Sequence, residues 1–137
     1  MIDEVFLDTD IVLDLLARRE PFYSFAADLF SKADQGKVKL FVSSLTFANL
    51  NYLLSKQYSS EQARKALLKF KTLVTVLAVT DKIVELALSS EFRDFEDGLQ
   101  YYTATGHHLK LILTRNLNDY KTAEIIVMTA EQYLSGR

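Results

Sequence analysis

Carboxylates gather at three places in this chain, each at the edge of a short apolar run. Val5-Phe6-Leu7 leads into Asp8-Thr9-Asp10, and Leu111-Ile112-Leu113 leads into Thr114-Arg115-Asn116 and on to Asp119. Asp94-Phe95-Glu96-Asp97 opens the helical stretch before the second of these runs. Carboxylates at the carboxyl ends of adjacent parallel strands meet in the crevice where open α/β sheets hold their ligands. Two of them about 4 Å apart repel by roughly 4 kcal/mol at an effective dielectric of 20. A divalent cation is the simplest group to offset that repulsion. The pattern therefore points to a metal-dependent hydrolase.

Each cluster also has a plainer reading. An acid or threonine directly before an apolar helix can serve as its N-cap. Two acids and a threonine in a row exceed what capping needs, so Asp8 is a candidate site residue. Acids in the first turn of a helix gain typically 0.3–1 kcal/mol each from its dipole, which would account for Asp94, Glu96 and Asp97. Residues 94 and 97 nevertheless share a face, whereas Glu96 points elsewhere, so Asp97 is the stronger candidate and Glu96 the weaker. In Thr114–Tyr120, Asn116 and Asp119 could form Asx-type turns, but a loop after a strand is also where scaffolds carry reactive groups.

The elements that must position these residues follow from periodicity. Strands are predicted near Val5–Leu7, Lys39–Val42, Thr75–Val79, Leu111–Leu113 and Ile125–Met128. Helices are predicted from Ile11 to Leu16, ending before Pro21, and from Phe22 to Ala33, ending at Gln35-Gly36. Further helices cover Ser44 to Lys56, the stretch after the Ser59–Gln62 capping box to Lys71, Asp81 to Ser90, and Phe95 to Thr105. Thr129 with Gln132 suggests a second capping box before a last helical turn. Strands alternating with helices imply a parallel sheet of four or five strands covered on both faces, a three-layer α/β/α domain. One such domain over residues 1–137 is the expected organisation.

Composition narrows the chemistry. The 137 residues contain no cysteine, which excludes disulfides, zinc thiolates and thiol nucleophiles. The acidic opening Met1-Ile2-Asp3-Glu4 and its short apolar run predict neither a signal peptide nor a membrane span, hence a soluble cytoplasmic protein. A net charge of −2 gives no global attraction for nucleic acid, so a polyanion would need a local basic patch and bound metal. His107-His108 and the aromatics of the helices read as a helix end and as core.

Four segments together resemble the motifs of PIN-domain ribonucleases, in order and over nearly the whole chain. They are Phe6–Leu16 followed by Arg19–Phe22, Ser44–Leu50, Asp94–Gln100 and Thr114–Tyr120. The resemblance implies a PIN-like fold and an acidic pocket binding magnesium or manganese. It also implies RNA cleavage, in many bacterial relatives by a toxin of the VapC kind silenced by a cognate antitoxin, and homodimerisation. Carried over by residue, Asp8, Asp97 and Asp119 match the acidic positions, and Thr114 and Asn116 the supporting polar ones. Asp8 and Asp97 would be direct metal ligands, Asp119 a ligand or base, and Asn49 and Asn116 would position water. Arg115, Lys121 and Arg18 or Arg19 would meet the RNA backbone. This chain departs from the pattern at Asp10, usually asparagine, and at Asn49, often glutamate. The second departure removes one anion, which weakens metal affinity unless Glu96 compensates.

Two other readings compete. Asp8-Thr9-Asp10 also resembles the opening motif of haloacid-dehalogenase-type phosphohydrolases, with Asp8 as nucleophile, Asp10 as acid/base and Ser43 as phosphate contact. A PIN-like fold weakened by Asn49 could instead bind RNA or a protein without cutting.

Overall fold

A computed structural model describes residues 2–136. The chain runs β1 (Asp3–Leu7), α1 (Thr9–Leu16), α2 (Tyr23–Asp34), β2 (Val38–Ser43), α3 (Ser44–Gln57) and α4 (Ser60–Lys71). It continues through β3 (Thr75–Leu77), α5 (Asp81–Leu88), α6 (Phe95–Gly106), β4 (Leu111–Leu113), a 3-10 turn (Leu117–Tyr120), β5 (Ile126–Met128) and α7 (Ala130–Ser135). All neighbouring strands are parallel, in the order β3-β2-β1-β4-β5. The predicted three-layer α/β/α architecture is the one found, with five strands in the sheet.

Alternation along the strands divides the core into two layers. Val5, Leu7, Leu40, Val42, Leu111 and Leu113 face one side and pack with Ile11, Leu29, Leu50, Leu54 and Phe70 from the first four helices. Phe6, Phe41 and Ile112 face the other side and pack with Tyr101, Ala104 and Tyr120. Val5, Phe6 and Leu7 are all fully buried, as expected of a central strand covered on both faces. A smaller cluster of Ile83, Ala87 and Leu99 ties α5 to α6. Gly98 lies against this contact, where a Cβ would stand 3.4 Å from Ala87 Cβ, at van der Waals distance.

Successive strands step one way from β1 through β2 to β3, then return to the other side of β1 with β4. The switch point therefore lies between β1 and β4, where ligand crevices form in such sheets. The pairing is Phe6 with Ile112 and Leu7 with Leu113. One further rung, Asp8 N–H to Leu113 C=O at 3.0 Å, carries it to the edge of the crevice.

Element ends differ from the sequence expectations for local reasons. Helix α1 starts at Thr9 rather than Ile11 because the Asp8 carboxylate caps it, accepting from Thr9 N–H at 2.7 Å. The third strand stops at Leu77 rather than Val79, and the fifth begins at Ile126 rather than Ile125. These are edge strands, paired on one side only, so fewer ladder bonds define their limits. Helix α2 ends in a Schellman motif, with Gly36 at φ +74° and Lys37 N–H donating to Lys32 C=O at 2.9 Å. The Thr129–Gln132 capping box is complete, and at Ser59 the hydroxyl caps α4 by accepting from Gln62 N–H.

Candidate active site

Asp8 directly follows β1 at the switch point, 9% exposed. Its Oδ1 accepts from Thr9 N–H, and its Oδ2 accepts from the Thr114 hydroxyl at 2.9 Å and the Tyr120 hydroxyl at 3.1 Å. Burial first, and then the charge of Asp10, push its carboxyl up to about 7. Burial and the nearby Asp8 charge push the Tyr120 phenol far up as well, so it stays protonated and donates.

Asp97 stands in the first turn of α6, whose N-cap is Asp94. The Asp94 carboxylate accepts from Glu96 N–H at 2.8 Å and Asp97 N–H at 3.3 Å. Half-buried Asp97 has its carboxyl pushed up to about 7, by desolvation first and then by Asp8, Asp94, Asp119 and Asp10. That combination marks functional carboxylates more often than structural ones. Asp97 joins two clefts. In one of about 270 Å³ it faces Asp8, Thr9, Asn49, Tyr52, Leu53, Glu96 and Gln100. In the other, about 330 Å³, it meets Arg93, Asn118, Asp119 and Lys121.

An uncharged network fixes the floor of the first cleft. The Gln100 amide donates to Thr9 Oγ1 at 3.2 Å and to Thr46 Oγ1 at 3.1 Å, and the two threonine hydroxyls lie 3.2 Å apart. Ser43 caps α3 and lies 3.4 Å from the Thr46 hydroxyl. Thr9 follows Asp8 directly, Asn49 is one turn beyond Thr46, and Asp97 is one turn before Gln100. Residues three apart on a helix share a face. The network therefore holds α1, α3 and α6 at a spacing that turns Asp8, Asn49 and Asp97 toward one volume.

On the other side of Asp8 the acids are fastened. Asp10 Oδ2 accepts from Arg115 N–H at 3.0 Å, with Thr114 Oγ1 at 3.3 Å and Asn116 Nδ2 at 3.4 Å. Burial still raises its carboxyl, partly countered by Arg115. Asp14 is 1% exposed and ion-paired with Arg115 Nε at 3.0 Å. The Arg115 guanidinium lies over the Phe22 ring, 4.3 Å from its centroid.

The structure thus brings Asp8, Asn49, Glu96 and Asp97 together in one cleft and Asp119 with Lys121 in the adjoining one. Thr114 is fully buried against Asp8, and Asn116 reaches Asp10. Arg115 lines neither cleft, and Arg18 sits exposed just beyond α1 with φ +53°. Glu96, which the helical wheel turns away from Asp97, nonetheless lines the same cleft. Gln100, Thr46, Tyr120 and Asp14 escaped the sequence reading. The only local signal was polar residues placed at helical spacing among apolar ones. Two groups a phosphohydrolase would present to phosphate are engaged elsewhere: Ser43 is fully buried as a helix cap, and Asp10 is bound by the loop after β4.

Among the described residues, no group of three or more histidine, aspartate or glutamate side chains converges tightly enough to hold a metal ion. What does converge is a pair of raised carboxylates with an amide beside them. An all-oxygen set of this size suits a hard cation that keeps several waters and takes one or two carboxylates.

Residues 4–118 match the family model described as PIN domain. The chain is 28% identical over 139 residues to Ribonuclease VapC1 of Aquifex aeolicus (strain VF5), across 96% of this chain and 93% of that protein. The crystal structure of Mycobacterium tuberculosis VapC20, a toxin that cleaves the sarcin–ricin loop, superposes with a TM-score of 0.71 at 18% identity. It covers 89% of this chain and 96% of that one. A toxin–antitoxin complex from Klebsiella pneumoniae gives 0.68 at 22% identity, over 92% and 97%. The family match begins inside β1 and runs through β4 into the turn beyond. It takes in Asp8, Asn49 and Asp97 with the elements that carry them, and the chain belongs to the PIN domain family.

Proposed function

We propose that this protein is a metal-dependent endoribonuclease, the toxin of a toxin–antitoxin pair, acting as one domain over residues 1–137 in the cytoplasm. One observation carries the reading: half-buried Asp97, its carboxyl raised to about 7, lies in a cleft with Asp8 and Asn49. The curated relative is a ribonuclease and the neighbouring solved structures are toxins or toxin–antitoxin complexes, which supports the same activity. Family membership sets aside the haloacid-dehalogenase-type alternative.

Asp8 and Asp97 would hold Mg²⁺ or Mn²⁺, with Asp119 and Glu96 at the margins of the site. When bound, such an ion lowers the pKa of its water and stabilises charge on an attacked phosphate. The chain's own groups do the rest. Thr114 and Tyr120 donate to Asp8 and fix its orientation. Asn49 offers an uncharged amide for positioning water, with Asn116 in support beside Asp10. Lys121, in the cleft continuous with the first through Asp97, and Arg18 are the cations we assign to RNA phosphates.

Exposed Leu88, 70% accessible, and Phe95, 44%, give α5 and α6 an apolar surface that suits a homodimer. Tyr52 at 61% and Leu68 at 71% give α3 and α4 one that suits an antitoxin. No helix among the described residues is long and apolar enough to cross a membrane.

The test is a manganese titration by calorimetry on wild type, Asp97→Asn and Asp10→Asn, paired with RNA cleavage with and without EDTA. Binding that Asp97→Asn abolishes, with EDTA-sensitive cleavage, is the expected result. An uncharged asparagine at position 49, beside Asp8 and Asp97 in the cleft, favours a second reading, a PIN fold that holds RNA or a protein without cutting. Manganese-independent RNA binding with no cleavage in wild type would establish that reading and overturn the first.

A further inference from the structure

Arg115 touches α1 twice. Its backbone N–H donates to Asp10 Oδ2 at 3.0 Å, and its guanidinium pairs with Asp14 Oδ2 at 3.0 Å, one helical turn further on. Phe22, from the chain between α1 and α2, packs under the guanidinium at 4.3 Å. The residue on either side of Arg115 belongs to the site. Thr114 donates its hydroxyl toward Asp8 Oδ2 at 2.9 Å and lies 3.3 Å from Asp10 Oδ2. Asn116 N–H donates back to Thr114 Oγ1 at 3.1 Å, which orients that hydroxyl.

We infer that Asp14 and Arg115 are positioning residues whose ion pair locks the 114–116 loop onto α1 so that Thr114 presents its hydroxyl to Asp8. Three features support this over a direct phosphate contact. The Arg115 side chain is 27% exposed, so most of its surface is already covered by protein. It lines a separate cavity of about 320 Å³ with Asp14, Phe22 and Phe25, away from both clefts that meet at Asp97. A buried carboxylate such as Asp14 is retained only when paired, and Arg115 is the partner it has at ion-pair distance. Lysine would not replace it equally, because a planar guanidinium both pairs and stacks where an ammonium acts as a point charge.

The inference rests on the proposed ribonuclease reading for its consequence but not for its geometry, and the experiment separates the two. Arg115→Met, Arg115→Lys, Asp14→Asn and the double variant Asp14→Asn/Arg115→Met are compared with wild type. Three readouts are taken: hydrogen exchange at the 114–116 amides, manganese affinity by calorimetry, and kcat and KM on an RNA oligonucleotide. Arg115→Met and Asp14→Asn are each expected to speed exchange at Arg115 and Asn116 by about tenfold or more. Each should lower kcat by about 10–100-fold with KM within about twofold, since small misplacements of catalytic groups have effects of that size. The double variant should be no worse than the worse single, as for one shared interaction. Arg115→Lys should fall between wild type and Arg115→Met.

A raised KM with unchanged kcat and unchanged loop exchange would make Arg115 an RNA contact and overturn the inference. A lower melting temperature with kcat and loop exchange unchanged would overturn it too, leaving a purely structural pair. If Asp14→Asn does not fold, the Arg115 variants decide the matter by the same readouts. If wild type cleaves no RNA, the ribonuclease reading fails while amide exchange still decides whether the loop is locked.

Discussion

The two sides of Asp8 carry the same residue type in opposite circumstances. On the α1 side, half-buried Asp10 and buried Asp14 are met by an arginine, a backbone amide and an asparagine. On the α6 side, the influences on Asp97 are desolvation and four other carboxylates, every one of them raising its pKa. One group of acids has hydrogen-bond donors and a cation set against it, which partly offset the effect of burial. The other is left in mutual repulsion at an open cleft, a condition that costs stability and is relieved by a cation. Acidity therefore does not identify the site here; the absence of a compensating partner does.

The largest test of that contrast is Asp97→Asn. If Asp97 supports a metal that stabilises charge in the transition state, its loss removes several kcal/mol, or about a thousandfold in cleavage rate. The fold should survive, because no cation of the protein is left unpaired. Manganese affinity in wild type should rise with pH through about 7, since both Asp8 and Asp97 must lose protons to bind metal. Calorimetry from pH 5.5 to 8 checks both points.

Restoring the missing anion comes next. Asn49→Glu should tighten manganese binding by about tenfold, or 1.4 kcal/mol, by adding a carboxylate to the cleft that holds Asp8 and Asp97. Weaker or unchanged binding in that variant would mean that position 49 does not face the ion.

Asp8→Asn turns the contrast into a stability measurement. Asp8 is raised from the usual 3.8 to about 7, so the native state holds its proton more tightly than the unfolded chain. Stability from this group is intact below about pH 4 and is lost as pH rises through 7. Removing the charge should therefore raise stability by roughly 2–4 kcal/mol at pH 8 and change little at pH 4, even as cleavage disappears. Denaturant unfolding at the two pH values reads this directly. The smallest effect belongs to exposed Glu96. Glu96→Gln should change cleavage by no more than about threefold, as expected of an exposed charge.

Much of this arrangement was legible from local pattern. Apolar triplets abutting acids located β1, β4 and the carboxylates at their ends. The 94/97 spacing put Asp94 and Asp97 on one face and ranked Asp97 above Glu96, although Glu96 lines the same cleft. The Thr129–Gln132 signature gave the last helix its start. What escaped was set by pairing across long stretches of chain. Gln100 is polar and mid-helix, which from sequence reads as solvent-facing. It is buried because Thr9 and Thr46, 91 and 54 residues away, supply its hydrogen-bond partners. Asp14 looks like the polar stripe of an amphipathic helix until Arg115 is brought against it from 101 positions later in the chain. Tyr120 reads as core, and only the 3-10 turn that carries it delivers its hydroxyl to Asp8.

The placement of β1 between β2 and β4 also sets a clock. Asp8 precedes by more than a hundred residues the hydroxyls that orient it, which belong to residues 114 and 120. A growing chain can pair β1 with β2 early, yet Asp8 has its full set of donors only once β4 has inserted beside β1 and the turn after it has formed. Closing a contact across 106 residues is slow compared with forming helices and neighbouring strands. If the proposed target is RNA, cleavage would have to wait for that late closure.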